Sequence, residues 1–162
     1  MFQFPASARA MKFALAIVAA LAASACAKTE EPGQGGAAVP GSQQDFVVNV
    51  GDRVFFETDS SELTSAAQAT LSKQAAWLTR YGNYSFTIEG HADERGTREY
   101  NFALGARRSQ AAHDFLVSKG IAASRMRTVS YGKERPVATC DDISCWSQNR
   151  RAVTVLSGAP GS

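Results

Sequence analysis

A transition from strand to helix between residues 84 and 120 constrains the fold more than any other feature of the sequence. Residues 84–90 alternate between apolar and polar side chains, which is typical of a half-buried β-strand. Its apolar face consists of Tyr84, Phe86 and Ile88. Residues 98–119 then show helical spacing, and Thr97 can cap this helix while Gly120 can end it. A strand followed by a long helix predicts a sheet on which that helix packs.

The remaining elements predict the fold class. Strands are expected at residues 52–56, 127–131 and 151–156, and a helix at residues 64–81. Residues 133–149 should be mostly loop with one helical turn. The order strand, helix, strand, helix, strand, strand predicts an α/β fold. We expect an α+β sandwich, in which a mixed sheet of about four strands carries helices on one face.

The helix at residues 98–119 has a predicted core-facing stripe. The stripe consists of Tyr100, Leu104, Ala111 and Phe115. Asn101 and Arg108 are seven residues apart and lie on one flank of it. Arg108 is therefore expected at the edge of the core, where its guanidinium is partly shielded from water.

Residues 1–25 have the pattern of an export signal. Lys12 precedes an apolar run over residues 13–23, and small residues lead to Cys26. The run is too short to span a bilayer, and Met11 is a better start than the first methionine. The end of this segment resembles a bacterial lipobox, which implies an acylated Cys26 anchored in the outer membrane and facing the periplasm. The alternative is an ordinary signal, cut nearby, that leaves Cys26 as a free thiol.

Residues 26–44 are expected to form the acylated cysteine and a flexible tether. Four Gly, two Pro and three Gln among residues 27–44 leave too few apolar side chains for a core. The domain is predicted at residues 45–157, with a short tail at residues 158–162. Removal of residues 1–25 takes away two basic side chains and no acidic one, which leaves 15 of each charge. This balance argues against nucleic acid as a partner.

Residues 90–97 are the strongest candidate for a binding site. They leave the carboxyl end of a strand and enter the amino terminus of a helix, where α/β sheets commonly bind ligands. Asp93 in this segment and Arg108 on the helix offer one fixed anion and one bidentate cation. Such a pair suits a ligand that carries both an ammonium and a carboxylate. Spacing alone leaves an alternative open, in which Arg108 covers the core edge and Asp93 caps the loop.

Four stretches of the chain resemble one protein family in their amino-acid sequences and in their order along the chain. They are residues 56–63, 87–108, 130–136 and 148–153, and the second includes the run GHADERGT. Across residues 54–156 the chain resembles the OmpA-like peptidoglycan-binding domains of Gram-negative bacteria. The resemblance implies non-covalent binding of the diaminopimelate-containing stem peptide of peptidoglycan. It also implies contact with Tol-system proteins, chiefly TolB, and a role in envelope integrity and cell division.

The resemblance also implies roles for individual residues. Asp93 would accept a hydrogen bond from the diaminopimelate ammonium, and Arg108 would clamp its carboxylate. Supporting positions of the family's site match Asn101, Asp59 and Arg150. Apart from the lipid on Cys26, neither a cofactor nor a metal is implied.

Cys140 and Cys145 depart from the family's usual loop. In an exported protein two cysteines five residues apart could form a local disulfide. The alternative is a pair of free thiols. In either case the Asp93 and Arg108 site is not affected.

Two other classes of function compete with wall binding. A metal hydrolase is disfavoured because catalytic zinc needs three protein ligands, whereas His91 and His113 are the only histidines. No Ser or Cys stands in a recognisable activated setting, so we expect no enzyme activity. A protein-interaction module that binds TolB-like partners, without direct wall binding, stays open as the alternative.

Overall fold

The computed structural model describes residues 38–158. The predicted export signal, Cys26, the first part of the predicted tether and most of the predicted tail lie outside the described residues. Within this range the strands are β1 (Arg53–Phe55), β2 (Ser85–His91), β3 (Met126–Gly132) and β4 (Arg151–Ser157). The longer helices are α1 (Ser65–Arg80), α2 (Arg98–Ser118) and α3 (Ile143–Asn149). No helix in residues 38–158 is long and apolar enough to cross a membrane.

The four strands form one mixed sheet in the order β1-β4-β2-β3. β2 runs parallel to β3, and β4 runs antiparallel to both β1 and β2. Helix α2 connects the parallel pair, because parallel neighbours need a crossover connection and cannot be joined by a tight turn. This topology confirms the predicted α/β fold with a mixed, four-stranded sheet.

The core lies between the sheet and helices α1 and α2. The alternation predicted for residues 84–90 is confirmed, because Tyr84, Phe86 and Ile88 are all buried. Helices α1 and α2 each begin at a threonine whose hydroxyl accepts a backbone N–H. Thr64 caps α1, and Thr97 accepts from the N–H of Tyr100 at 3.2 Å to cap α2.

The buried face of α2 differs from the predicted stripe. Tyr100 is 44% exposed, so its predicted place in the core is wrong. The buried residues of α2 are Asn101, Leu104, Gly105, Arg108, Ser109, Ala112 and Leu116. The prediction that Arg108 lies at the core edge is also wrong, because this side chain is fully buried. The prediction followed the large apolar side chains, whereas the helix turns Gly105 and Arg108 inward toward backbone groups of the sheet and loops.

Two glycines allow α2 to approach the sheet closely. A methyl group on Gly90 would lie 1.8 Å from the carbonyl oxygen of Gly105. A methyl group on Gly105 would lie 2.4 Å from the hydroxyl oxygen of Ser130. Neither contact leaves room for a side chain, so β2 and α2 meet backbone to backbone. This contact fixes the first half of α2 beside the end of β2, from which residues 92–97 emerge.

The segment before β4 contains more helix than predicted. Residues 143–149 form the seven-residue helix α3, whereas the sequence predicted mostly loop with one helical turn. The Asp142 carboxylate accepts the N–H of Ser144 at 2.8 Å and begins this helix. The sulfur atoms of Cys140 and Cys145 form a disulfide beside it. Sequence periodicity is weak here because Asn149 is the one buried residue of α3.

The described chain begins with a short segment that contacts the domain. An α-helical turn (Gln43–Asp45) continues into a π-helical turn (Phe46–Val50). The hydroxyl of Tyr84 donates to the carbonyl of Gly41 at 2.8 Å, and the indole N–H of Trp77 donates to Asp45 at 2.8 Å. These contacts reach four residues into the stretch that the sequence assigned to the tether.

Candidate binding site

Asp93 lies in the loop between β2 and α2 and accepts hydrogen bonds on both carboxylate oxygens. Its Oδ1 accepts the backbone N–H of Arg95 at 3.2 Å and Nε of the same residue at 3.1 Å. Its Oδ2 accepts Nη2 of Arg95 at 2.7 Å and Nη1 of Arg150 at 3.4 Å. Asp93 is 7% exposed, so its charge is held in a largely desolvated setting by two arginines.

The charge state of Asp93 follows from these neighbours. Burial favours the neutral acid, but the hydrogen bonds and charge of Arg95 and the hydrogen bond from Arg150 outweigh it. The pKa of Asp93 therefore lies below its usual value, and the carboxylate is ionised at neutral pH. A fixed anion at this position can accept hydrogen bonds from an ammonium group.

Arg108 lies beneath the loops and does not touch Asp93 directly. Its Nε donates to the carbonyl of Ser60 at 2.8 Å, its Nη1 to that of His91 at 2.8 Å and its Nη2 to that of Glu57 at 3.2 Å. Burial lowers the pKa of Arg108 to about 10, which leaves the guanidinium charged at neutral pH. The side chain thus ties the loop after β1 to the end of β2.

Arg150 adds a second buried cation. Its Nε donates to the carbonyl of Phe56 at 3.0 Å, and its Nη1 forms the ion pair with Asp93. The side chain is buried at the junction of α3 and β4. Arg150 thus contacts the Asp93 carboxylate directly, whereas Arg108 interacts with it through its charge.

Asp59 and Asn101 complete the mouth of the site. Asp59 adopts the left-handed conformation, with φ of 57°, and accepts a hydrogen bond from the hydroxyl of Tyr100. Asn101 donates to the carbonyl of Arg95 at 2.7 Å and so fixes the loop backbone. A cavity of about 190 Å³ opens between these groups. It is lined by Thr58, Asp59, Asp93, Arg95, Gly96, Tyr100, Asn101 and Leu104.

The structure brings most of the residues singled out by sequence into one region. Asp59, Asp93 and Asn101 line the cavity. Arg150 reaches Asp93 from behind, whereas Arg108 is one layer deeper and bonds backbone carbonyls. The site residues therefore form a polar binding cavity and an arginine layer that supports it.

Two residues of this region were not singled out by sequence. Arg95 forms the closest ion pair with Asp93, and its guanidinium carbon lies 4.2 Å from the ring centre of Trp146. Arg95 stands in the GHADERGT run, so its position two residues after Asp93 was a usable signal. Trp146 lies on α3, and no spacing rule connects it to that loop.

The chemistry of the site suits binding. In the part of the chain that the structure describes, no group of three His, Cys, Asp or Glu side chains could hold a metal ion. The cavity combines the carboxylates of Asp59 and Asp93 with the partly exposed guanidinium of Arg95. These groups can contact a ligand of mixed charge by hydrogen bonds and ion pairs.

Comparison with known proteins places this fold and site in a family. Residues 55–150 match the model of the OmpA family. A protein of Mesorhizobium japonicum named peptidoglycan-associated lipoprotein is 64% identical over 153 residues, which cover 90% of this chain and 91% of that relative. The crystal structure of the peptidoglycan-associated lipoprotein from Burkholderia pseudomallei matches with a TM-score of 0.64 and 40% identity. This match covers 65% of the present chain and 90% of the Burkholderia pseudomallei chain.

A more distant structural neighbour shares the fold alone. The C-terminal domain of Helicobacter pylori MotB matches with a TM-score of 0.62 and 19% identity, over 67% of this chain and 85% of that chain. The expectation that the chain is not an enzyme agrees with relatives that are named for association with peptidoglycan. The chain belongs to the OmpA family and, within it, to the peptidoglycan-associated lipoproteins.

Proposed function

We propose that the chain binds peptidoglycan non-covalently through the diaminopimelate-containing stem peptide. The observation that carries this proposal is the ionised Asp93 carboxylate in a polar cavity at the start of α2. Diaminopimelate has an ammonium and a carboxylate on one carbon, so a fixed anion beside fixed cations complements it. The relatives named for association with peptidoglycan support peptidoglycan as the ligand.

Each site residue has a role in this proposal. Asp93 accepts hydrogen bonds from the ligand ammonium. Asp59 and Asn101 support the ammonium at the mouth of the cavity. Arg108 acts on the ligand carboxylate, and Arg150 holds the Asp93 carboxylate in place. Because Arg108 is fully buried and three of its N–H groups already bond carbonyls, it would act on the ligand carboxylate through its positive charge.

The proposal extends to the place of the protein in the cell envelope. The acylated Cys26 would anchor the chain in the outer membrane, and the tether would let the domain reach the wall. The domain would then hold the outer membrane to the wall and act with TolB and other Tol-system proteins in envelope integrity and division. The alternative function is a module that binds TolB-like partners without direct wall binding.

Co-sedimentation with purified sacculi of the diaminopimelate type tests the proposal. The full chain, in mild detergent, should enter the pellet, and Asp93→Asn should stay in the supernatant. Asp114→Asn is a matched control, because Asp114 is an exposed acid on α2 away from the cavity, and this variant should pellet like wild type. A folded wild type that stays in the supernatant would remove wall binding. Capture of TolB by that same protein would then favour the alternative.

A further inference from the structure

The side chain of Arg95 contacts both Asp93 and Trp146. The guanidinium of Arg95 forms a two-point contact with the Asp93 carboxylate, with Nη2 to Oδ2 at 2.7 Å and Nε to Oδ1 at 3.1 Å. The guanidinium carbon of Arg95 also lies 4.2 Å from the ring centre of Trp146, within the range of a cation–π contact. The Arg95 side chain is 40% exposed, so it has freedom to leave Asp93 unless something holds it.

The Trp146 ring makes its hydrogen bond and its cation–π contact with side chains of the loop. Its indole N–H donates to the carboxylate of Glu94, the residue next to Arg95. The loop backbone is fixed separately, because Asn101 donates to the carbonyl of Arg95 and Lys133 donates to the carbonyls of its neighbours. Loss of the Trp146 ring would therefore change where the Arg95 guanidinium lies and leave the loop in place.

The position of Trp146 depends on a small disulfide-closed segment. Trp146 follows Cys145 on α3, and the Cys140–Cys145 bond closes the turn before it. At the far end of α3, Asn149 bonds the N–H of Val137 at 2.8 Å. The disulfide therefore restrains the first half of α3 and Asn149 restrains its end, with Trp146 between them.

We infer that Trp146 is a positioning residue of this site: its ring holds the Arg95 guanidinium against Asp93, and the Cys140–Cys145 disulfide holds the ring. The effect of this arrangement on ligand affinity rests on the proposed function. The effect on the pKa of Asp93 does not rest on the proposed function, because it concerns contacts within the chain.

The first test needs no ligand. We would follow the Asp93 carboxyl carbon by NMR as a function of pH in the full chain. Trp146→Ala should raise the measured pKa of Asp93, because Arg95 then pairs with it less of the time. Trp146→Phe should restore a value near wild type, since a phenyl ring can still lie over the guanidinium. Arg150 also donates to this carboxylate, and the charge of Arg108 acts on it; both residues are unchanged in all these variants.

A double-mutant cycle separates positioning from a general structural effect. If Trp146 acts through Arg95, Trp146→Ala should leave the pKa of Asp93 unchanged in an Arg95→Met background. The paired change Cys140→Ser and Cys145→Ser should shift that pKa in the same direction as Trp146→Ala. Unfolding curves run beside these titrations would show whether each variant remains folded. An unchanged pKa of Asp93 in folded Trp146→Ala would overturn the inference. So would a shift caused by Trp146→Ala that is equally large in the Arg95→Met background and in wild type.

The second test measures binding with a soluble diaminopimelate-containing muropeptide. Trp146→Ala should weaken binding about two- to fivefold, the size of one exposed cation–π contact. Trp146→Phe should lie near wild type. Failure of wild type to bind would remove the proposed function, whereas the pKa of Asp93 would still decide whether Trp146 positions Arg95. Wild-type binding with unchanged affinity in folded Trp146→Ala would remove the role of Trp146 in binding.

Discussion

The guanidinium Nη1 of Arg108 donates to the backbone carbonyl of His91 at a distance of 2.8 Å, inside the protein. This bond joins the middle of α2 to the last residue of β2, directly before the Asp93 loop. The other nitrogens of Arg108 reach the carbonyls of Glu57 and Ser60 in the loop that carries Asp59. One buried side chain therefore sets the relative position of the two loops that form the cavity.

Replacement of Arg108 should lower stability as well as binding. Arg108→Ala leaves three backbone carbonyls without their donor and opens a space in the core. We expect a loss of about 3 kcal/mol or more in the free energy of unfolding, measured in urea. Arg107→Ala changes the neighbouring, exposed arginine and should stay within about 0.5 kcal/mol of wild type. Equal effects at the two positions would contradict the buried role of Arg108.

His91 should make the stability of the fold depend on pH. Burial, and then the charges of Arg151, Arg135 and Arg53, lower the pKa of His91 to about 4. Because this lies below the unfolded value of 6.5, the unfolded chain binds more protons between these two pH values. Stability should therefore be complete above pH 6.5 and fall by up to about 3 kcal/mol as pH decreases toward 4.

The variant His91→Phe isolates this effect. Among residues 38–158, neither ring nitrogen of His91 has a hydrogen-bond partner, although Glu89 Oε2 lies 3.6 Å from Nε2. An apolar ring should thus cost little at pH 7 and should flatten the pH dependence between 6.5 and 4. Urea unfolding of wild type and His91→Phe at a series of pH values checks this, and a wild-type slope in folded His91→Phe would contradict the role of His91.

Local patterns in the sequence predicted the elements well and the orientation of α2 poorly. Alternation over residues 84–90 marks one buried face, and a strand has only two faces to choose from. The face of α2 depends on where Arg108 finds acceptors, and these lie 48 and 51 positions earlier in the chain. A pattern within one helix contains no information about such partners.

The same limit applies to the candidate site. Asp93 was predicted from its place between a strand and a helix, which is a local property. Arg150, which contacts it from 57 positions later, was assigned to the site only through resemblance to a family. Trp146 was missed altogether, because its contacts cross from α3 to the loop before α2.

The backbone contact between β2 and α2 predicts strong effects of small substitutions. Gly90→Ala and Gly105→Ala would each place a methyl group within 2.5 Å of another atom and separate the helix from the sheet. We expect each to lose about 3 kcal/mol or more in urea unfolding. Gly82→Ala is the control, because a methyl group there would meet nothing within 4 Å. A similar loss in all three variants would show that glycine itself, and not the close approach, matters.

The contact between Tyr84 and Gly41 predicts that the folded unit includes residues before Asp45. Tyr84→Phe removes the hydroxyl that donates to the Gly41 carbonyl at 2.8 Å and should lower stability by about 1 kcal/mol. A fragment that starts at Asp45 lacks Gly41 and should be less stable than one that starts at residue 38. In that shorter fragment Tyr84→Phe should have almost no effect, because its acceptor is already gone. An unchanged loss of about 1 kcal/mol there would mean that the hydroxyl acts through another partner.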